Sequence, residues 1–323
     1  MKIGIPRGLL FYRYFPLWET FFETLGIEVV VSDPPTEATV REGSKLVPGD
    51  LCLPVKIFFG HVESIRRKVD YLFIPRFISV EPDAYMCPKL MGLPDMIRAS
   101  LDFLPPLIDH PIHCKAQGAK AEENFFLKVG SFFFKDKGKV LRAYSMAKER
   151  QDRFRSILRQ GLAFDQALHL SRSSNKVEQP LQDGEGRIGV IGRPYYVHDP
   201  FLRRYVMDQM EARRYFPITT EALSDQEIEK GVETLRKRVY WSYGKEMVGS
   251  AIHFAKSGLV QGIINLASFG CGQDSFNFEL IQHGVKDKIS ILSLVFDEHL
   301  SNVGFSTRIE AFLEMIQRRK SQK

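Results

Sequence analysis

Residues 2–31, KIGIPRGLLFYRYFPLWETFFETLGIEVVV, contain a complete strand–helix–strand pattern. The short apolar run at 2–6 predicts a strand, and the aromatic-rich stretch 9–25 predicts a helix that ends at Gly26. The run from Ile27 to Val31 is rich in β-branched residues and is typical of a strand buried on both faces of a sheet. This order of elements predicts a parallel sheet covered by helices.

The same pattern returns in the second half of the chain. Residues 187–190, RIGV, resemble residues 2–5, KIGI, and each is followed by a proline-containing turn, an aromatic-rich helix and another strand. Later strands are expected at 260–266 and 289–296. A closing helix is expected over 306–319, with Ser306 or Thr307 as its N-cap.

The middle of the chain differs because residues 119–170 contain no convincing strand and carry many charges on a helical pattern. Residues 171–186 form a polar linker. We therefore expect an α/β fold of two Rossmann-like lobes with mostly parallel sheets and a helical insert between them. The expected boundaries are 1–114 for the N-terminal lobe, 115–186 for the helical insert and linker, and 187–323 for the C-terminal lobe.

Composition and charge narrow the class of protein. Hydrophobic residues make up 44% of the 323 residues, which is ordinary for a globular chain, and no apolar stretch is long enough for a membrane span. No secretory signal is recognisable and cysteines are few, so the reducing cytoplasm is expected. The net charge of +6 comes from dispersed basic residues. It argues against a nucleic-acid partner and suits an anionic ligand or an acidic protein.

Three of the four cysteines lie in similar turns beside proline or glycine. Cys52 precedes Leu53-Pro54, Cys87 precedes Pro88, and Cys271 lies between two glycines after a predicted strand. Thiolates in turns that the fold brings together suit an iron–sulfur cluster better than a disulfide. Two alternatives remain open: the cysteines are small buried hydrophobic residues, or they bind zinc. Cys114 lacks this setting, and we expect it to lie outside the set.

Several further segments identify a family resemblance. The chain resembles acyl-CoA dehydratase activase-related proteins, kin to the subunits of 2-hydroxyglutaryl-CoA dehydratase and benzoyl-CoA reductase. The resemblance rests on these segments: Gly4-Ile5-Pro6-Arg7, Cys52-Leu53-Pro54-Val55-Lys56, Cys87-Pro88-Lys89, Gly192-Arg193-Pro194-Tyr195, Ser268-Phe269-Gly270-Cys271-Gly272-Gln273-Asp274 and Asp297-Glu298-His299. It covers nearly the whole chain apart from residues 115–186.

The resemblance implies a function in single-electron chemistry. In the dehydratase and reductase subunits three cysteines bind a [4Fe–4S] cluster between two lobes, so Cys52, Cys87 and Cys271 are the implied ligands here. An ATP-dependent activase is then the implied partner, an acyl-CoA the implied ligand, and a homo- or hetero-oligomer the implied assembly, all in anaerobic metabolism. Whether the chain is itself a dehydratase- or reductase-like component stays open. The alternative is a non-catalytic scaffold or regulatory partner of the activase.

Other polar residues have both a functional and a structural interpretation. Two positions are open for Lys56, His61 and Asp95. They are the lining of a cleft near the thiols and the surface of a helix. After the strand that begins at Arg187, a ligand role is open to four residues: Arg193, Tyr195, His198 and Asp199. For Asp199, an N-cap before Pro200 is the favoured interpretation. The segment Asp297-Glu298-His299 is expected to be a hydrogen-bonded loop rather than a metal site.

Overall fold

The computed structural model describes residues 1–173, 185–286 and 288–321. These residues form two compact units. The first contains residues 1–157, 164–173 and 240–242, and the second contains residues 158–163, 185–239 and 243–321 without 287. Most of the predicted linker, residues 174–184, lies outside the described residues.

The first unit is built around a four-stranded parallel sheet of order β2-β1-β3-β5 and a two-stranded parallel sheet of β4 and β6. A turn of 3₁₀ helix follows α6 at Gly118–Lys120. The elements in chain order are β1 (Lys2–Ile5), α1 (Phe11–Thr24), β2 (Glu28–Val31), α2 (Glu37–Lys45), α3 (Leu53–Ile65), β3 (Tyr71–Phe73), β4 (Arg76–Ser79), α4 (Pro88–Met91), α5 (Leu93–Ser100), β5 (Leu107–Ile108), β6 (Pro111–His113), α6 (Cys114–Gln117), α7 (Ala121–Phe133), α8 (Lys137–Leu158) and α9 (Phe164–Leu170).

The second unit contains a single parallel sheet of order β10-β9-β7-β8. A turn of 3₁₀ helix follows β8 at Thr220–Ala222. Its elements are β7 (Gly186–Ile191), α10 (Pro194–Val197), α11 (Pro200–Arg203), α12 (Met207–Glu211), β8 (Tyr215–Thr219), α13 (Asp225–Val232), α14 (Ser242–Ser257), β9 (Gly262–Ser268), α15 (Gly272–Val285), β10 (Ser290–Phe296) and α16 (Asn302–Ser321).

The two four-stranded sheets have the same topology. In each, the first strand lies between the second and the third, and the fourth strand follows the third at the edge. All pairings are parallel, so the carboxyl ends of the strands lie at one edge of each sheet. The predicted α/β class with mostly parallel sheets is confirmed, and residues 121–133, 137–158 and 164–170 are helical as expected.

Both units bury large apolar side chains against their sheets. In the first unit, α1 packs aromatic rings against the sheet and α7, with ring centroids 5.0 Å apart for Phe22 and Phe73 and 4.7 Å apart for Phe21 and Phe126. The second unit has one buried cluster that is mainly aliphatic and includes Ile191, Met247 and Ile263, and elsewhere it buries aromatic rings such as Phe296 and Phe305, whose centroids lie 5.3 Å apart. Each fully buried side chain of this size stabilises the fold by about 1.5–3 kcal/mol.

Helices α2 and α3 approach each other at two glycines. A Cβ on Gly43 would lie 1.8 Å from the carbonyl oxygen of Lys56, and one on Gly60 would lie 2.1 Å from that of Thr39. No side chain fits either place, so the two backbones are in direct contact and α3 is fixed on α2.

The expected N-cap of the closing helix was wrong. Helix α16 begins at Asn302, so Ser306 and Thr307 lie inside it. The hydroxyl of Thr307 donates to the carbonyl oxygen of Val303 at 2.9 Å, which is the bond a threonine makes to the preceding helical turn. The Ser306 hydroxyl accepts a hydrogen bond from Arg213 at 3.0 Å. Both hydroxyls have partners without capping the helix.

Candidate functional site

Cys52 and Cys87, in the first unit, both lie at helix N-caps. Cys52 precedes α3 with extended backbone angles, and Pro54 stands in the first turn of that helix. Cys87 precedes α4, which begins directly at Pro88. Both thiols are half-buried, and neither caps its helix through its side chain. Pro54 and Pro88 stand in the first turns of these helices, a position that proline favours.

Cys271, in the second unit, is the N-cap of α15 and follows β9 through a tight turn. The turn depends on Gly270, which has a φ of +72° that other residues rarely adopt. The Phe269 backbone N–H donates to the Phe296 carbonyl oxygen at 2.8 Å, and the Cys271 N–H donates to the Ser268 carbonyl oxygen at 3.1 Å. A Cβ on Gly272 would meet no atom within 4 Å, so the space beside Cys271 is open.

All three cysteines therefore occupy the same position relative to a helix. The N-terminus of a helix carries a partial positive charge and unpaired N–H groups, which favour a thiolate. None of the four cysteines forms a disulfide. The pKa of Cys271 is nevertheless raised to about 12, first by burial and then by the negative charge of Asp274. Without a bound cation this thiol is protonated at neutral pH.

A buried polar network holds the turn that carries Cys271. Arg193 follows β7, and its guanidinium donates from Nε to Asp274 Oδ1 at 3.0 Å and from Nη2 to Gln273 Oε1 at 2.9 Å. The hydroxyl of Tyr196 lies 3.1 Å from Asp274 Oδ2. Arg193 is 2% exposed and Asp274 is 0% exposed. The network ties the loop after β7 to the first turn of α15, at the carboxyl ends of neighbouring strands.

The remaining predicted site residues have varied environments. Lys56 is buried on α3, and its ammonium donates to the Gly49 carbonyl oxygen at 2.8 Å. His61 is 1% exposed on the same helix. Asp95 is exposed on α5 and pairs with Arg76 at 2.6 Å, which is the helix-surface interpretation.

Two structural interpretations from the sequence are confirmed. The carboxylate of Asp199 accepts hydrogen bonds from the N–H groups of Phe201 and Leu202, so this residue is the N-cap of α11. The Asp297 carboxylate accepts from the His299 N–H at 2.8 Å, which closes a hydrogen-bonded turn.

Cys114, the fourth cysteine, has a different setting. It is the first residue of α6 and lines a small pocket together with Trp18, Phe77 and Glu122. Burial raises the pKa of its thiol, and the negative charges of Glu122 and Glu81 raise it further. No proline or glycine turn places it at an N-cap.

The fit of a [4Fe–4S] cluster can be judged from the donor residues. Three half-buried thiols at helix N-termini, one beside open space at Gly272, are suitable thiolate donors. Over residues 1–173, 185–286 and 288–321, no group of three or more His, Cys, Asp and Glu side chains is placed to hold a metal ion. The local setting of each thiol fits, and ligation of one cluster by all three stays a prediction.

The family model described as CoA enzyme activase uncharacterised domain (DUF2229) matches residues 2–223. The chain belongs to this family. The predicted resemblance to activase-related proteins of acyl-CoA dehydratases is thereby confirmed. The match to the CoA enzyme activase domain includes Cys52, Cys87 and Arg193 and ends before Cys271. A comparison with curated proteins found no match.

The description of the family as a CoA enzyme activase domain suggests an enzyme partner. Among the described residues, no helix is both long and apolar enough to cross a membrane. The matched residues include the whole four-stranded sheet of the first unit and the strands β7 and β8 of the second unit. Arg7, which follows β1, and Arg193, which follows β7, therefore both belong to the family domain.

Proposed function

We propose that this protein binds a [4Fe–4S] cluster through Cys52, Cys87 and Cys271 and takes part in the single-electron chemistry of CoA esters. The observation that carries the proposal is the common position of the three thiols, each at a helix N-cap with no capping hydrogen bond from its side chain. A bound cluster supplies transfer of one electron at a time.

The residues around the thiols support thiolate ligation. Each thiol lies beside the first turn of a helix, whose backbone N–H groups carry a partial positive charge. Pro54 and Pro88 stiffen the turns that carry Cys52 and Cys87, and Gly270 gives the Cys271 turn its left-handed backbone. Arg193 places a fixed positive charge near Cys271 and acts against the rise in its pKa that burial and Asp274 cause.

The family suggests the reaction and the partner. An ATP-dependent activase is the proposed source of electrons, and a CoA ester is the proposed compound that receives them. The reaction class is that of 2-hydroxyacyl-CoA dehydration or aryl-CoA reduction, and kinship to the subunits of those enzymes is part of the proposal. The net charge of +6 suits the phosphate groups of coenzyme A.

Iron and sulfide analysis after purification without oxygen tests the proposal. Protein with one cubane holds about four irons and four sulfides per chain and absorbs visible light. Cys271→Ala is expected to lose most of the iron. Cys114→Ala is the matched control and is expected to keep it. Colourless, iron-free protein made with cluster assembly supported would contradict the proposal.

One observation favours a second candidate function. The described part of the chain contains no ready metal-holding group of three or more His, Cys, Asp and Glu side chains. A non-catalytic scaffold or regulatory partner of an activase needs none. Iron-free protein that binds the activase and changes its rate of ATP hydrolysis would support this candidate.

A further inference from the structure

The loop after β1 lies where a parallel sheet of this order binds ligands. In the order β2-β1-β3-β5 the second and third strands lie on opposite sides of β1, so the carboxyl end of β1 is the switch point of the sheet. The loop leads into α1, a helix of 14 residues whose N-cap, Leu10, makes no side-chain hydrogen bond. The N–H group of Phe11, the first residue of α1, donates to the Gly8 carbonyl oxygen at 3.0 Å, so side chains around the loop are the groups that can bind a ligand here.

Arg7 lies in this loop with its charge uncompensated. Its Nε atom is buried and has no hydrogen-bond partner. Within the described ranges no carboxylate pairs with it, and its guanidinium packs over the Phe11 ring at 5.4 Å. The backbone is held in place because the Arg7 N–H donates to the Ser32 hydroxyl at 2.8 Å. Arg7 as a whole is partly exposed, but a buried N–H donor such as its Nε normally has an acceptor.

The Nε2 atom of His61 is a second buried polar atom without a partner in the described part of the chain, and His61 lies next to the loop that contains Arg7. The side chain is 1% exposed, and no hydrogen bond to its Nε2 is found among the described residues. The ring edge faces the loop, because a Cβ on Gly8 would lie 3.6 Å from His61 Cδ2. Burial and the charge of Arg7 lower the pKa of His61 to about 3, so the imidazole is neutral and able to donate one hydrogen bond.

The second unit shows what an arginine at this place binds. Arg193 follows the end of β7 by two residues, as Arg7 follows the end of β1, and both sheets have the same topology. Arg193 bonds to the carboxylate of Asp274 and the amide oxygen of Gln273. The first unit contains the arginine but none of the described residues supplies the carboxylate.

We propose that Arg7, in the loop of residues 6–10, and His61, beside that loop, bind an oxyanion at the carboxyl end of β1. The ligand is a phosphate or carboxylate group that takes the place Asp274 occupies beside Arg193. Arg7 supplies charge and paired N–H donors, and His61 supplies a neutral donor. The site lies within the first unit and does not depend on the proposed cluster.

The test is a titration of the full chain with inorganic phosphate, methyl phosphate or acetate at constant ionic strength. Isothermal titration calorimetry measures the binding directly, without a reporter group at the site. Saturable binding of at least one anion is expected. Arg7→Gln is expected to weaken it at least about tenfold, as for loss of a charge-assisted contact. Arg67→Gln, the same change at an exposed arginine, should have no effect.

Comparison of the three anions shows whether the natural ligand carries a phosphate or a carboxylate group. Preference for the phosphates over acetate identifies a phosphate compound, and the reverse preference identifies a carboxylate. The absence of saturable binding by the parent protein overturns the proposal, as does equal affinity in a folded Arg7→Gln variant. If Arg7→Gln does not fold, His61→Gln replaces it, with weakened binding expected and unchanged binding contradicting the site.

Discussion

Arg7 and Arg193 occupy corresponding places in the two units and have opposite environments. Each lies two residues beyond the first strand of a four-stranded parallel sheet of the same order. Arg193 is almost fully buried and paired with Asp274, whereas Arg7 is partly exposed and has no carboxylate partner among the described residues. In the second unit the carboxylate of Asp274 neutralises the arginine at the switch point. In the described part of the first unit Arg7 has no such carboxylate and is the residue proposed to bind a ligand. One topology thus supports a structural and a binding use of the same residue type.

The largest effect is expected from Asp274→Asn. The change leaves the buried Arg193 guanidinium without a counter-charge, and breaking a buried ion pair in this way costs about 3–5 kcal/mol of unfolding free energy. Urea unfolding of the variant measures the loss. Asp95→Asn is the control, because its pair with Arg76 is solvent-exposed and should leave the unfolding midpoint almost unchanged. Similar results for the two variants would contradict the contrast between the sites.

The pH dependence of stability tests the neutral state of His61. The pKa of His61 is about 3 in the folded protein and 6.5 ordinarily, so below 6.5 only the unfolded chain gains the proton. Stability is therefore lost as the pH falls, by about 2 kcal/mol between pH 7 and pH 5 from this residue alone. Urea unfolding at both pH values should show a smaller loss in His61→Gln. An equal loss in parent and variant would show that His61 is protonated in the folded state.

Loss of the Asp199 cap should have an intermediate effect. Asp199→Ala removes hydrogen bonds to two N–H groups at the start of α11 and should cost about 1 kcal/mol. Thr36→Ala, which breaks the capping box of α2 in the first unit, should cost about as much. Thermal unfolding followed by circular dichroism measures both. A cost for Asp199→Ala as large as that of Asp274→Asn would indicate a role beyond capping.

The smallest effect on stability is expected from Arg7→Gln. Arg7 has no ion pair to lose among the described residues, so the unfolding free energy should change by no more than about 0.5 kcal/mol. Arg193→Gln at the corresponding place is the comparison, and it should destabilise strongly because Asp274 then loses its partner. Chemical denaturation of both variants measures the difference. A large loss in Arg7→Gln would show that the first arginine is structural too.

Much of the fold could be predicted from local patterns. The runs that form β1, β2, β9 and β10 are apolar and β-branched, and proline or glycine marks the neighbouring turns, so strand and helix alternation is visible. The pair of β4 and β6 was not predicted. Strand β4 begins only three residues after β3 ends, with Pro75 between them. In the sequence the two strands therefore look like one segment.

The candidate site was predictable only where its signal is local. Pro54 and Pro88 directly mark the helices that start after Cys52 and Cys87. The pairing of Arg193 with Asp274 joins residues 81 positions apart, so neither residue alone indicates it. The sequence suggested a ligand role for Arg193, and the partner within the chain is visible only once β7 and β9 lie side by side. The unpartnered state of Arg7 requires the same three-dimensional information.

The direct contact of α2 and α3 at Gly43 and Gly60 has a mechanical consequence. Helix α3 starts after Cys52 and carries His61 nine residues later, which is about 13 Å along the helix axis. Because the backbones touch without side chains between them, α3 cannot slide over α2 without separating from it. The two helices therefore form one packed unit, and α3 links the position of Cys52 to that of His61.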